Sequence, residues 1–168
     1  RSTSSKSGRL ADVPEMGGVG PYEAGVETAP VMLDAFDVIT LSPGTIDADV
    51  TGSVVDADKP VVVFGGHSCA FVPNGEIASC DHVEEQLLPL AAWGTSVVLA
   101  RYASRHNCET EDLALWRVVA GADDMNVAFD PPAPPPAGSE YYFAQQGEVL
   151  EFMAPDDYYA KGAFESSG

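Results

Sequence analysis

The chain has 168 residues, with 26 Asp+Glu against 8 Lys+Arg and a formal net charge of -18. That charge repels phosphate backbones and anionic lipid surfaces, so it argues against a nucleic-acid binder or a polybasic membrane sensor. Hydrophobic residues make up 45% and charged residues only 20%, enough apolar material for a packed core, and no apolar run reaches the ~20 residues a membrane-spanning helix needs.

Residues 1–24 are rich in Ser, Gly and Pro and show neither a period of 2 nor one of 3.6, which predicts an irregular leader ahead of a β domain over residues 25–168. From Val26 onward short apolar runs alternate with turn signals. Residues 30–33, 36–41 and 50–55 read as strands, and Val61-Val62-Val63-Phe64, ending at Gly65-Gly66, reads as a buried central strand. Residues 80–88 break this texture: Val83, Leu87 and Leu88 fall near one helical face behind an Asp81-x-x-Glu84 start, predicting a short helix that ends before Pro89. Residues 95–101, 113–120 and 125–129 follow as strands. The last two, joined by Gly121-Ala122-Asp123-Asp124, read as a hairpin. Five of the nine residues in 130–138 are prolines, which lack the backbone donor and predict a stiff surface loop. Residues 140–143, 147–153 and 158–164 complete nine or ten strands. The class is mainly β, a sandwich-like or barrel-like set of antiparallel sheets with one short helix after Cys80. The last apolar run stops at Glu165-Ser166-Ser167-Gly168 as if mid-fold, so the pattern predicts an incomplete C-terminal edge.

The candidate chemistry lies in three short pairs: His67-x-Cys69, Cys80-x-His82 and His106-x-Cys108. Two readings compete for the first two. As a metal site, two Cys and two His supply a tetrahedral set suited to zinc, although one intervening residue on an extended strand does not form the usual knuckle. As a disulfide, Cys69 and Cys80 close a ten-residue loop turning at Pro73-Asn74-Gly75, and so short a loop contributes roughly 2–3 kcal/mol in the chain-entropy account. Cys108 is then the odd thiol, free or paired to a neighbouring chain. A hydrolase using Cys69 or Ser68 with His67 or His82 has the residue types but no nucleophile elbow. Asp47-x-Asp49 and Asp56-x-Asp58 could give oxygens to calcium, but acidic residues at turns are ordinary turn formers, and no cofactor is expected. Trp93, Trp116 and the pairs Tyr141-Tyr142 and Tyr158-Tyr159 are the aromatic candidates for recognition. Strand alternation should bury one tyrosine of each pair and expose the other.

The stretch DVTGSVVDADKPVVVFGGHSC from Asp49 to Cys69, then CDHVEEQLLP from Cys80 and Trp93-Gly94-Thr95, resembles the N-terminal domain of the IgGFc-binding protein family, closely over residues 48–101 and loosely over 147–152. The resemblance implies a secreted or cell-surface, non-enzymatic, β-rich domain, and the acidity suggests a bacterial-type member. It supports pairing Cys69 with Cys80 in a clasp made of a disulfide, a short helix and a packed Trp. The expectation is an extracellular binding or adhesion module for a protein or glycan. His67, His82, Glu85, Trp93, Tyr141 and Tyr158 are the candidate contact residues. A metal-dependent or Cys/His hydrolase and a structural segment of a larger surface assembly are the alternatives.

Overall fold

Alternation of apolar and polar residues along the C-terminal strands sets the architecture. In the computed structural model, which describes residues 20–23, 25–44, 48–72, 75–76, 78–103 and 113–164, the described residues hold eight strands: β1 Phe64–Ala70, β2 Asp81–Gln86, β3 Ser96–Leu99, β4 Ala114–Val119, β5 Met125–Ala133, β6 Gly138–Phe143, β7 Val149–Ala154 and β8 Tyr158–Phe164. They form three antiparallel sheets, ordered β1-β2, β3-β8-β5-β6 and β4-β7.

The core comes from every second residue of these strands, as a pleated sheet with one buried face requires. Met125, Val127 and Phe129 of β5, Tyr158 and Ala160 of β8, Phe143 of β6 and Leu99 of β3 turn inward from the four-stranded sheet. Leu150, Phe152 and Ala154 of β7 meet them from the two-stranded sheet, with Trp116 and Val118 of β4 packed alongside. Phe152 stands edge-on to both Phe129 and Tyr158, with ring centroids 5.8 and 5.5 Å away. Two open sheets facing across such a layer make a sandwich, and neither closes into a barrel.

Most of the later strands form where the alternation places them, but their partners differ. The expected hairpin of residues 113–120 and 125–129 does not form: β4 pairs with β7, and β5 lies between β8 and β6. The turn at residues 121–124 therefore carries the chain from one sheet to the other. The proline stretch is also part of a strand, since β5 runs through Asp130, Pro131 and Pro132 to Ala133. The missing N–H groups appear as a break in the β5–β6 register between Ala128 and Ala133, while Phe129 and Asp130 stay opposite β8.

The N-terminal half departs further. Residues 30–33, 36–41 and 50–55 carry no strand. The run 61–64 is not a buried central strand, for Val61, Val62 and Phe64 are all exposed and pairing begins only at Phe64. The expected leader falls outside the described residues except for 20–23, as do Asp47, His106, Cys108 and residues 165–168.

One N-terminal segment is nevertheless pinned to the sandwich. Arg117 of β4 donates from its guanidinium to Asp49 at 2.7 Å and to Glu151 of β7 at 2.8 Å. The other oxygen of Asp49 accepts from the backbone N–H and hydroxyl of Thr51, at 2.9 and 2.6 Å. Gly52 follows with φ +91°, and a Cβ there would run into the carbonyl oxygen of Gly147 in the turn before β7. Both the left-handed backbone and the close approach require glycine. Gly52→Ala should therefore cost about 1–3 kcal/mol or more, read as a lower urea midpoint with an unchanged denaturant slope.

Candidate functional site

The region carrying most of the candidate residues is the β1–β2 hairpin. Its register pairs Phe64 with Gln86, Gly65 with Glu85, Gly66 with Glu84 and His67 with Val83, then shifts before Ala70 meets Asp81. Gly66 allows the strands to approach, since a Cβ there would come within 2.6 Å of the Val83 carbonyl oxygen. Cys69 and Cys80 are joined as a disulfide with Cα atoms 5.0 Å apart, a normal separation for a bridged pair. The turn expected at residues 73–75 lies outside the described residues except for Gly75.

The bridge decides between the two readings of the cluster. Both sulfurs are consumed in it, so neither is a thiolate for zinc or a nucleophile for hydrolysis. Among the described residues no group of three or more His, Cys, Asp or Glu side chains is placed to hold a metal ion. Asp49, half of one proposed calcium pair, is committed to Thr51 and Arg117.

The expected helix over residues 80–88 is a strand. Asp81–Gln86 is β2, and Leu90–Ala92 after Pro89 forms a single 3-10 turn. A bridge at Cys80 holds the next residues beside β1, where ladder hydrogen bonds outweigh the weak helical periodicity of Val83, Leu87 and Leu88. The pleat then separates the candidates. Residues opposite one another share a face and neighbours along a strand alternate, so His67 and Glu85 lie on one face of the hairpin and His82 on the other. His67 accepts a hydrogen bond at Nδ1 from the Cys69 backbone N–H at 3.0 Å. His82 lies 3.4 Å from Glu84 through Nε2, and both side chains are exposed.

Trp93 follows the 3-10 turn. Its indole N–H donates to the Leu88 carbonyl at 3.1 Å, and its ring lies over Gly121, where a Cβ would come to 3.3 Å. The indole thus packs on the turn between β4 and β5 while 46% of the residue stays exposed.

The tyrosines separate as strand alternation requires, and the candidates Tyr141 and Tyr158 are the inward members of their pairs. Tyr158 is 3% exposed and belongs to the core, while Tyr141 packs against it. The exposed members are Tyr142 and Tyr159. Burial, reinforced by Glu148 beside Tyr141 and Asp156 beside Tyr158, holds both phenols above the ordinary tyrosine pKa. Sequence reasoning listed neither Phe64 nor Leu87 as a contact residue, although both are exposed on or beside this hairpin; an apolar run ending at Gly65-Gly66 reads first as core.

The family profile for the IgGFc binding protein matches residues 10–167. The chain belongs to that family. The human IgGFc-binding protein is 42% identical to it over 84 residues, which make up 50% of this chain and 1% of the human protein, so the chain spans only a small part of that relative. No solved structure matches it.

The hairpin has no substantial contact with any other strand among the described residues, so the disulfide acts locally. Replacing both Cys69 and Cys80 with Ser should remove about 2–3 kcal/mol from the hairpin's resistance to opening. In amide hydrogen exchange, the amides of β1 and β2 that face the partner strand should lose protection while Phe143 and Leu150 keep theirs. The tyrosines give a second expectation. The folded state holds the two phenolic protons more tightly than the unfolded chain, so their contribution is fully present below the unfolded value of about 10 and is lost as pH rises through the folded values. The urea midpoint should fall from about pH 9 to about pH 11, and Tyr158→Phe should flatten that fall.

Proposed function

We propose that this chain is a non-catalytic, protein-binding module of an extracellular protein, and that the β1–β2 hairpin with the adjoining Leu90 and Trp93 makes the contact. The observation that carries this reading is the hairpin itself, a disulfide-closed element with exposed Phe64, Val83 and Leu87 on or beside its strands and no substantial contact with another strand among the described residues. Val83 and Leu87 share one face of this element with His67 and Glu85, and exposed apolar side chains beside polar ones are what a protein partner desolvates. Trp93 adds an amphipathic ring whose indole N–H is already satisfied, so its exposed face can be covered without stranding a donor. The human relative bears a name that says it binds the Fc of IgG, which supports a protein rather than a glycan as the class of ligand. The disulfide supports an oxidising, extracellular setting. No helix among the described residues is long and apolar enough to cross a membrane.

The test is surface plasmon resonance of the immobilised chain against an IgG Fc and a mucin glycoprotein, each before and after enzymatic deglycosylation. Binding should survive deglycosylation and weaken about tenfold or more, at least 1.4 kcal/mol, in a Val83→Asp, Leu87→Asp double variant. Loss of binding on deglycosylation, or an unaffected double variant, would refute protein recognition through the hairpin.

A further inference from the structure

Resting on the reading of the chain as a protein-binding module, we propose that the free edge of β2 takes an extended, basic segment of the partner as an added β-strand. One hydrogen bond sets the direction of the backbone groups. The Leu87 N–H donates to the Val63 carbonyl at 2.9 Å, towards β1. Along a strand, alternate residues aim their N–H and C=O groups the same way, so Glu85 and Val83 also face β1. His82, Glu84 and Gln86 face away from it. The sheet contains only β1 and β2, so no further strand lies on that side among the described residues. All six residues of β2 are exposed.

A two-stranded hairpin is marginal in water without support. Here the support is the disulfide, which keeps β2 extended before any partner arrives and lowers the ordering cost of adding a strand. An unpaired, preformed edge is a template for addition, with main-chain hydrogen bonds supplying affinity and alternate side chains supplying selectivity.

The charge of the edge selects the occupant. Residues 60–100 contain Glu76, Asp81, Glu84 and Glu85 and no Lys or Arg. An added strand places alternate side chains beside Val83 and Glu85 on one face and beside His82 and Glu84 on the other. Lys or Arg next to the carboxylates, with an apolar residue next to Val83, completes both rows. A second copy of this chain would lay Asp81, Glu84 and Glu85 against their own equivalents in a molecule of net charge -18, and like charges directly opposite are destabilising. The same carboxylates that keep two copies apart admit a basic segment. The free edge of β3 offers no such selection, because Ser96–Leu99 carries no charge.

The experiment is amide hydrogen exchange on the isotope-labelled, oxidised chain with a short peptide alternating Lys and Val, and with its Glu-Val counterpart. The lysine peptide should slow exchange about tenfold at the His82, Glu84 and Gln86 amides, and the glutamate peptide should not. Gln86→Pro removes one outward donor, and Glu84→Lys with Glu85→Lys reverses the charge without touching the backbone. Each should abolish the added protection, the second variant standing in if the first disturbs the hairpin. No protection at β2, protection at β3 instead, or equal effects of the two peptides would overturn strand addition. Those outcomes leave the Fc and mucin measurements untouched, so failure of the edge is distinguishable from failure of the binding-module reading.

Discussion

Phe152 is the residue on which the sandwich depends. It projects from β7 between Phe129 of β5 and Tyr158 of β8, edge-on to both rings, and so joins the two-stranded sheet to the four-stranded one. Neither sheet could stay flat-faced in water by itself: β4-β7 has only two strands, and the larger sheet would expose Val127, Phe143 and Ala160 if the smaller one were removed. The edge-on geometry adds to the burial of apolar area, because a ring's positive rim meets its neighbour's negative face. Tyr158 enters this cluster with its phenol buried near Asp156, the cause of its raised pKa, so the packing that unites the sheets weakens as rising pH ionises that phenol.

Outside that core the chain is held by a few polar and covalent clasps. Arg117 spans Asp49 and Glu151, Gly52 rests on Gly147, and Cys69–Cys80 closes the hairpin. Each ties a segment with little buried area to a neighbouring strand. Several polar and glycine members of the family motif are such junctions. Asp49, Thr51 and Gly52 fasten the segment to β4 and the turn before β7, and His67 and Cys69 secure the bulge in β1.

How much of this was legible in the sequence follows from the range of each interaction. The C-terminal strands could be read because their signal is local: Met125, Val127 and Phe129, or Leu150 and Phe152, alternate inward along a few residues, and the tyrosine pairs split for the same reason. Strand partners could not be read. The turn at residues 121–124 looks alike whether it returns the chain along β4 or carries it across to the other sheet, and the second is set by long-range packing such as Phe152 against Phe129 and Tyr158. The helix expected over 80–88 failed similarly, because three apolar residues at helical spacing are weak against a covalent bond at Cys80 that places β2 beside β1. Val61 and Val62 show the limit of reading burial from composition, since β-branched residues before a glycine pair look the same whether they enter a core or stand exposed. Of the candidate site, the Cys69–Cys80 disulfide agrees with sequence reasoning, whereas the inward turn of Tyr158 rather than Tyr159 is set by contact with Phe152 of β7, which no local pattern shows.

The hairpin's stability and its exposure have one origin. A strand held by core packing must bury one face, which leaves that face unavailable to a partner. β2 is held by a covalent link and a backbone ladder instead, so all its residues are exposed and no further strand lies along its outer edge among the described residues. The arrangement would invite self-association if the strand were apolar throughout. Asp81, Glu84 and Glu85 place like charges where two copies would meet, while Val83 and the neighbouring Leu87 keep exposed apolar surface. Association driven by such a strand must weaken with salt, because its charges are solvent-exposed and screened over about 10 Å at 0.1 M ionic strength. Contacts through Trp93 and Leu90, where apolar area dominates, would respond far less to salt. Under the binding-module proposal the two parts of the surface would divide recognition physically, the acidic strand choosing and orienting the partner and the indole shoulder supplying desolvation that persists at high ionic strength.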